Sequence, residues 1–236
     1  MKYTIYSLLK QTLQADEVIL WLSEKEFPDK DDNLPEDLKN MKNKGLTIKY
    51  TSSTRSHKKL IPSLKQYPQS IIITADDDIY YPSDWLETLY HEHEKDKNSI
   101  IAHRCKKITL IDNKLSDYNT WTLIENMEPA SYTNFFTTGG GVLFPPNSLD
   151  NRVFDETLCD KLCPYADDIW FWTMAILNKT KIVVPANNIH IITYTQPEID
   201  VLNNKDSLWY YNKTKNNEQI NNILDKFPEI LEIINE

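Results

Sequence analysis

The 236-residue sequence is poor in glycine, in cysteine and in long apolar stretches. At an average usage of about 7%, a chain of this length would carry roughly sixteen glycines, whereas this one has four. Three of them stand together, from Gly139 to Gly141, and the other is Gly45. We therefore expect unusual backbone freedom to be needed at one place in the chain above all others.

The other shortages exclude several classes of protein. Three irregularly spaced cysteines do not make a disulfide framework, and Cys159 and Cys163 without further partners are a poor zinc site. This cysteine usage is typical of a reduced, cytosolic protein with inert thiols. No apolar run approaches the ~18 residues of a membrane span, and the first residues lack the layout of a signal peptide. Acidic residues outnumber basic ones by 35 to 26, and the net charge of −9 argues against nonspecific binding to nucleic acid.

Hydrophobic periodicity predicts alternating helices and strands over the first 110 residues. Helices are predicted over 3–12, 35–44, 57–66 and 83–95, the last capped by Ser83, and strands over 17–22, 46–50 and 70–75. Such alternation is typical of a parallel sheet covered on both faces, here within one compact α/β domain. Farther along, the pattern predicts strands over 99–102, 106–111, 142–144 and 181–184, a helix over 167–177 and amphipathic helices towards the C-terminus.

The strongest chemical signal is the run Asp76-Asp77-Asp78, which directly follows the predicted strand over 70–75. In open α/β sheets, ligands bind at the carboxyl ends of the strands. Three adjacent carboxylates repel one another unless a cation or hydrogen-bond donors compensate. Because alternate residues of an extended segment point to the same side, Asp76 and Asp78 could act together on a ligand, one of them on Mg²⁺ or Mn²⁺. The alternative is a solvated loop that leads into a helix.

A second acidic pair, Asp167-Asp168, opens the predicted helix over 167–177. Carboxylates are stabilised at a helix N-terminus by the macrodipole and by free N–H groups, so Asp167 has a simple interpretation as a cap. A second acid is redundant for capping. Asp168 is therefore a candidate general base that takes a proton from an acceptor hydroxyl.

The glycine run precedes the predicted strand over 142–144, and it either lets backbone approach a ligand closely or forms a turn or bulge. Weaker signals are Lys58 and Lys59, which could meet a pyrophosphate or simply be solvated. His190 is either a ligand for Mn²⁺ or a structural histidine. The stretch 112–137 is rich in aromatic and polar residues, which either line an acceptor site or belong to the core. These aromatic residues are Tyr118, Trp121, Tyr132, Phe135 and Phe136.

The order and spacing of these pieces resemble a GT-A glycosyltransferase of family 2, the type found in bacterial surface-glycan pathways. The segment 7–12 followed by 16–20 is similar to the first helix and second strand of that family. The run at Asp76–Asp78 resembles its D-x-D element, and Gly139–Gly141 resembles its glycine loop on the acceptor side. Asp167-Asp168 resembles its x-E-D motif with Asp in place of Glu, and His190 lies where some members place a metal-binding histidine. The resemblance covers residues 5–190.

The resemblance implies an inverting, metal-dependent hexosyltransferase with a mixed sheet flanked by helices. A nucleotide-diphospho-sugar, with a UDP-sugar expected, would bind with Mn²⁺ or Mg²⁺. It divides the chain into a nucleotide-sugar half at 1–110, an acceptor half at 111–190 and C-terminal helices at 191–236. The implied roles are as follows: catalysis by Asp168 and Asp167; metal binding by Asp78, Asp76 and His190; donor binding by Asp76, Asp77, Lys58, Lys59, Ser23 and Glu24; and substrate binding by Gly139, Gly140, Gly141 and Trp170.

The sequence departs from the family at its start, because the family has an apolar strand and loop before the first helix. Loss of that central strand would expose apolar edges with unpaired N–H and C=O groups, and it would affect nucleotide binding. A non-catalytic relative that binds a glycan or acts as a scaffold is therefore the alternative. A phosphatase with a nucleophilic aspartate fits less well, since Tyr80 stands where its D-x-D-x-T motif needs threonine.

The resemblance also implies partners and a place in the cell. The acceptor would be a glycan or a lipid-linked sugar in polysaccharide or lipopolysaccharide synthesis. We expect a cytoplasmic protein that associates with the inner face of the membrane, with no transmembrane segment and no nucleic-acid partner.

Overall fold

A computed structural model describes residues 1–52, 55–186, 188, 193–194 and 208–236. The predicted His190 lies outside the described residues. The α-helices are α1 Lys2–Leu8, α2 Glu36–Lys42, α3 Ile61–Gln66, α4 Trp85–Lys95, α5 Glu156–Leu162, α6 Asp167–Leu177, α7 Leu208–Lys226 and α8 Glu229–Ile234.

The strands are short. They are β1 Val18–Ser23, β2 Leu46–Thr51, β3 Ile72–Thr74, β4 Ile79–Tyr80, β5 Ile100–Ala102, β6 Cys105–Lys107, β7 Leu110–Ile111, β8 Lys114–Leu115, β9 Thr122–Leu123, β10 Glu128–Ser131, β11 Asn134–Phe136, β12 Val142–Phe144, β13 Ile182–Val184 and β14 Thr193–Tyr194.

The molecule has a mixed α/β architecture with mixed sheets and helices, as the sequence predicts. The parallel sheet expected from the first 110 residues is present only as the pair β1 and β2, because β3 pairs antiparallel with β12 instead. The largest sheet has the strand order β10-β13-β5-β12-β3, in which only β13 and β5 run parallel. Strands β1 and β2 form a separate parallel pair, with Val18 opposite Leu46 and Ser23 opposite Thr51. The two sheets are separate because no strand in the described part of the chain pairs with β1 on one side and β3 on the other.

The core gathers around the five-stranded sheet and helix α6. Trp170, Phe171 and Trp172 of α6 are fully buried or nearly so, which accounts for a helix that is apolar on nearly every face. The C-terminal helices pack against the same core through Ile223, Ile230 and their neighbours. Trp121 and Phe136 are also core residues, so the core interpretation holds for those two aromatic residues of the stretch 112–137.

Several helices and strands begin or end at other residues than the sequence predicts. Helix α1 ends at Leu8 instead of residue 12. The helix predicted over 57–66 is broken at Leu60 into a 3₁₀ turn and α3, with a proline in the first turn of α3. Ser83 is not the cap of α4, because Asp84 is the residue before its first turn. The strand predicted over 106–111 divides into β6 and β7.

Among the described residues, no helix is long and apolar enough to cross a bilayer.

Candidate functional site

A cleft of about 1800 Å³ joins the two acidic motifs of the sequence. It runs along β1 and β3, passes the acidic run and the start of α6, and is also lined by Arg104, Lys106 and Tyr118. Most of the charged residues singled out from the sequence line it, and these are Lys58, Lys59, Asp76, Asp77, Asp78, Asp167 and Asp168. The structure therefore brings together residues that are as much as 110 positions apart, from 58 to 168.

Local hydrogen bonds fix the acidic run at the end of β3. The N–H of Asp76 donates to the Tyr81 hydroxyl at 2.8 Å, and that hydroxyl donates to the carbonyl of Gly139 at 2.9 Å. The Thr4 hydroxyl of α1 donates to the carbonyl of Asp77 at 2.8 Å. Asp77 itself is exposed, whereas Asp76 and Asp78 are half-buried. The tyrosine thus ties the acidic run to the glycine run.

Crowding of like charges is visible at Asp78. Burial, followed by the charges of Asp76 and Asp77, raises the pKa of the Asp78 carboxyl above its usual value. Burial contributes most to this shift, and the remainder is the like-charge repulsion expected from the sequence.

Lys59 supplies a cation from the protein itself. Its ammonium donates to the Asp76 carboxylate, and it also lies 3.1 Å from a carboxylate oxygen of Asp167 and 3.2 Å from the Thr138 hydroxyl oxygen. Burial alone would lower the pKa of Lys59, but the attraction of Asp167 and Asp76 raises it well above its usual value. The same attraction outweighs burial at Asp167 and lowers the pKa of its carboxyl. Lys59 therefore holds the two acidic motifs together.

Asp168 differs from the acid beside it. It accepts two hydrogen bonds from Thr138, from the backbone N–H at 2.7 Å and from the hydroxyl at 2.8 Å. Burial and the adjacent charge of Asp167 raise the pKa of the Asp168 carboxyl to about 7. A carboxylate on a cleft wall with a pKa near neutrality can accept a proton from a bound hydroxyl, which is what a general base requires.

The glycine run packs against the protein's own side chains. A Cβ on Gly139 would lie 2.6 Å from a carboxylate oxygen of Asp76, and a Cβ on Gly140 would lie 2.4 Å from the Cβ of Arg104. Gly141 has a φ of +105°, and a Cβ there would lie 2.3 Å from the Trp85 indole nitrogen. Of the three, only Gly139 lines the cleft. Packing and backbone geometry therefore account for Gly140 and Gly141, and the predicted acceptor contact remains a prediction for Gly139.

Sequence reasoning missed three cations of the cleft, which are Arg55, paired with Asp160, and the two residues Arg104 and Lys106. Arg104 donates to the Thr137 hydroxyl at 2.8 Å, and the Lys106 ammonium lies 4.0 Å from the centre of the Tyr118 ring. Burial and the charge of Arg104 lower the pKa of Lys106. No ion pair in the described part of the chain joins either of them to a carboxylate. The signal in the sequence, two cations around Cys105, was too common to single out without the fold.

The remaining predicted residues lie in three different settings. Lys58 lines the cleft and pairs with Glu26 at 2.9 Å. Ser23 is fully buried at the end of β1, and Glu24 is exposed beside Lys30. Trp170 is fully buried and donates to the carbonyl of Val153 at 3.3 Å. The placement of Trp170 therefore contradicts its prediction as a substrate contact, since its whole side chain is in the core.

The chemistry of the donor set decides how a divalent cation would fit. In the described part of the chain, no three His, Cys, Asp or Glu side chains are grouped to hold a metal ion by themselves. The half-buried, crowded carboxyl of Asp78 beside Asp76 suits a cation that takes few protein ligands and completes its shell with phosphate oxygens. The site fits Mg²⁺ or Mn²⁺ only in this phosphate-assisted form.

No protein-family model and no curated protein sequence matches this chain. The functional argument therefore depends on the geometry of the cleft.

Proposed function

We propose that this protein is an inverting glycosyltransferase of the GT-A type, which transfers a sugar from a nucleotide-diphospho-sugar to a hydroxyl acceptor. The observation that carries the proposal is Asp168, a carboxyl with a pKa near 7 that is held by Thr138 and lines the same cleft as the acidic run at Asp76–Asp78. Asp168 would take the proton of the acceptor hydroxyl. The acceptor oxygen would form the new bond to the anomeric carbon as the bond from that carbon to the diphosphate breaks.

The charged side chains that line the cleft would bind the nucleotide-sugar donor. Arg104 and Lys106, which lack a carboxylate partner in the described part of the chain, are suited to the negative charge of the diphosphate. Asp78 and Asp76 would hold Mg²⁺ or Mn²⁺ together with the phosphates, and this ion neutralises charge on the leaving group when it is bound. Lys59 and Thr138 orient Asp167 and Asp168, so the base is positioned before the acceptor arrives.

A donor screen tests the proposal. The protein is incubated with UDP-, GDP- and TDP-sugars in the presence of Mn²⁺ or Mg²⁺, and release of the nucleoside diphosphate is measured. In parallel, the melting temperature is measured with each nucleoside diphosphate plus Mn²⁺. We expect one nucleotide to raise the melting temperature, and Asp78→Asn to remove the part of that increase that depends on Mn²⁺. Absence of both turnover and stabilisation for every nucleotide would refute the transferase proposal.

One observation favours a second candidate function, a glycan-binding relative without catalysis. Lys59 already pairs with both Asp76 and Asp167, so a cation of the protein itself lies where a divalent ion would bridge those two carboxylates. Such a protein would bind oligosaccharides in the absence of nucleotide and metal. Saturable binding of a glycan array component with no response to nucleoside diphosphate plus Mn²⁺ would favour this candidate over the transferase.

A further inference from the structure

A second cavity, of about 540 Å³, lies at the end of the five-stranded sheet that is opposite the acidic run. Its walls include Ser99 and Lys181, which directly precede β5 and β13, and Pro145, which directly follows β12. The acidic run follows β3, whose last residue, Thr74, pairs with Val142 at the start of β12. The cavity and the acidic run therefore lie at opposite ends of the sheet, and the cavity shares no lining residue with the cleft.

The charged residues of this cavity are mostly basic, although the chain as a whole has a net charge of −9. One acid lines it, Asp96, together with three lysines, and these are Lys97, Lys179 and Lys181. The Asp96 carboxylate already accepts hydrogen bonds from the N–H groups of Asn98 and Ser99, at 3.0 and 3.3 Å, and from the Ser99 hydroxyl at 2.6 Å. These bonds, led by that of the Ser99 hydroxyl, lower the pKa of the Asp96 carboxyl. The acid is thus engaged by its own turn and leaves the lysines to a ligand.

The three lysines are available to a negatively charged group. Among the described residues, Lys181 has no carboxylate partner. Lys97 pairs with Glu94 at 2.9 Å, and both side chains are more than half exposed. Lys179 pairs with Glu236 at 3.1 Å, again with both side chains more than half exposed. Exposed pairs of this kind contribute little stability, so a ligand can compete for either lysine.

Two buried hydroxyl groups of the cavity have a hydrogen to donate. Ser148 is only 5% exposed, and its hydroxyl has no hydrogen-bond partner in the part of the chain that the structure describes. Thr180 is 6% exposed, and its hydroxyl oxygen accepts from the Asn178 amide at 2.9 Å, which leaves its own hydrogen free. The Asn178 amide also donates to the carbonyl of Asn147 at 2.9 Å, so it ties together the two loops that carry these hydroxyls. A buried hydroxyl without an acceptor is costly, and a ligand oxygen removes that cost.

We propose that this cavity binds a small anionic ligand through a phosphate group, as in a sugar phosphate. The groups without a partner, which belong to Lys181, Ser148 and Thr180, are all donors, so they suit a group that only accepts hydrogen bonds. A phosphate presents several acceptor oxygens in different directions, which matches donors that come from the loop after β12 and from the loop before β13. The volume of about 540 Å³ is typical of a small-molecule site and leaves room for a body the size of a sugar. The inference does not depend on the proposed transferase activity.

Calorimetric titration of the full chain with glucose 6-phosphate tests the inference, with inorganic phosphate and glucose as separate arms. We expect saturable binding of both phosphate compounds at low salt, and binding of glucose that is at least about tenfold weaker than that of glucose 6-phosphate. Hydrogen exchange should slow at residues 145–148 and 178–181, which line the cavity. Absence of saturable binding for both phosphate compounds, or glucose binding as tight as that of its phosphate, would overturn the inference.

Two variants of the cavity separate a ligand contact from a structural role. Lys181→Gln should weaken binding of glucose 6-phosphate at least about tenfold, and Ser148→Ala should weaken it several-fold. Without ligand, Ser148→Ala should melt no lower than the wild type, because it removes a buried hydroxyl that has no partner. Lys114→Gln, on the exposed start of β8, is the matched control and should leave binding unchanged. Wild-type affinity in both Lys181→Gln and Ser148→Ala would overturn the inference.

The cations of the cleft are the competing place for a phosphate, and Lys106→Gln distinguishes the two sites. Lys106 lines the cleft and not the second cavity, so this variant should keep the protection of residues 145–148 and 178–181 by glucose 6-phosphate. Binding that is lost in Lys106→Gln and kept in Lys181→Gln would assign the phosphate to the cleft and overturn the inference.

Discussion

The acidic run at Asp76–Asp78 and the acidic pair Asp167-Asp168 present the same kind of sequence signal in two different electrostatic settings. The run follows a strand and faces the cleft, with Asp77 exposed and Asp78 raised in pKa by burial and by its neighbours. The pair opens a helix and is held by side chains from two other segments, Lys59 and Thr138. At the first site the clustered acids thus contribute to a raised pKa of Asp78. At the second site the pKa values of the two neighbouring acids move in opposite directions.

The two acids of the pair Asp167-Asp168 differ in the direction in which their pKa values move. Asp167 is paired with Lys59, which lowers the pKa of its carboxyl, while burial and the charge of Asp167 raise the pKa of Asp168. Two neighbouring carboxyls whose environments move their pKa values apart can serve different chemical roles. The structure therefore suits Asp168 to proton transfer and Asp167 to positioning.

The largest effect should follow removal of Asp168. Asp168→Asn keeps an oxygen for the Thr138 donors but cannot accept a proton, so we expect sugar transfer to fall by about 10²–10⁴-fold. Binding of the nucleoside diphosphate should remain nearly intact. Asp225→Asn, an exposed acid on α7, is the control. Undiminished turnover in Asp168→Asn would show that Asp168 is not the general base.

Lys59 links the two sites, and its removal should be the largest perturbation of stability. Lys59→Met leaves the carboxylates of Asp76 and Asp167 without their cation, and the side chain of Asp167 is only 11% exposed. We expect the free energy of unfolding to fall by about 3 kcal/mol, as measured by urea denaturation. The double variant Lys59→Met/Asp167→Asn should recover much of this loss. A single variant as stable as the wild type would mean that the ion pairs are not what joins the sites.

Much of this arrangement was predictable from local sequence, and its decisive parts were not. The bounds of α6 and β12 follow directly from apolar periodicity and the flanking acids or glycines. Lys59 was expected either beside a pyrophosphate or in solvent, but its contact with Asp167 spans 108 positions and depends on how the 3₁₀ turn Ser56–Lys59 lies against the start of α6. Arg104 and Lys106 become notable only because β6 brings them to the cleft. Trp170 was misassigned because an aromatic residue beside an acidic motif has the same pattern whether it faces a ligand or the core.

The glycine run lies between the two acidic sites in the sequence, and its members have different surroundings. Gly139 lines the cleft, whereas Gly141 packs against Trp85. Gly141→Ala requires a side chain at a φ of +105° and at 2.3 Å from the Trp85 indole, so we expect a loss of about 2–3 kcal/mol of stability. Gly139→Ala places a Cβ 2.6 Å from a carboxylate oxygen of Asp76 and 3.6 Å from Ile79 Cδ1, and only the Asp76 carboxylate has to turn away, so it should cost less than Gly141→Ala, about 1 kcal/mol, while weakening nucleoside-diphosphate binding. Urea denaturation of both variants measures the loss of stability, and nucleotide titration measures the loss of binding. Equal loss of stability in both variants would contradict the expected difference.

The smallest effect is a pH dependence that assigns the raised pKa to Asp168. Between pH 3.8 and about 7, the folded protein keeps the Asp168 proton that the unfolded chain has released. The stabilisation from this proton is complete below the unfolded pKa and is lost as the pH rises through about 7. A pKa displacement of this size corresponds to at most about 4 kcal/mol, and the partial exposure of the carboxyl reduces it to roughly 1–2 kcal/mol.

The free energy of unfolding of the wild type should therefore fall by that amount relative to Asp168→Asn between pH 4 and pH 8. Transfer activity should rise over the upper part of the same range, because only the ionised carboxylate accepts a proton. A difference between the two proteins that does not change with pH would place the neutral-range titration elsewhere in the cleft and remove the contrast between Asp168 and its neighbour.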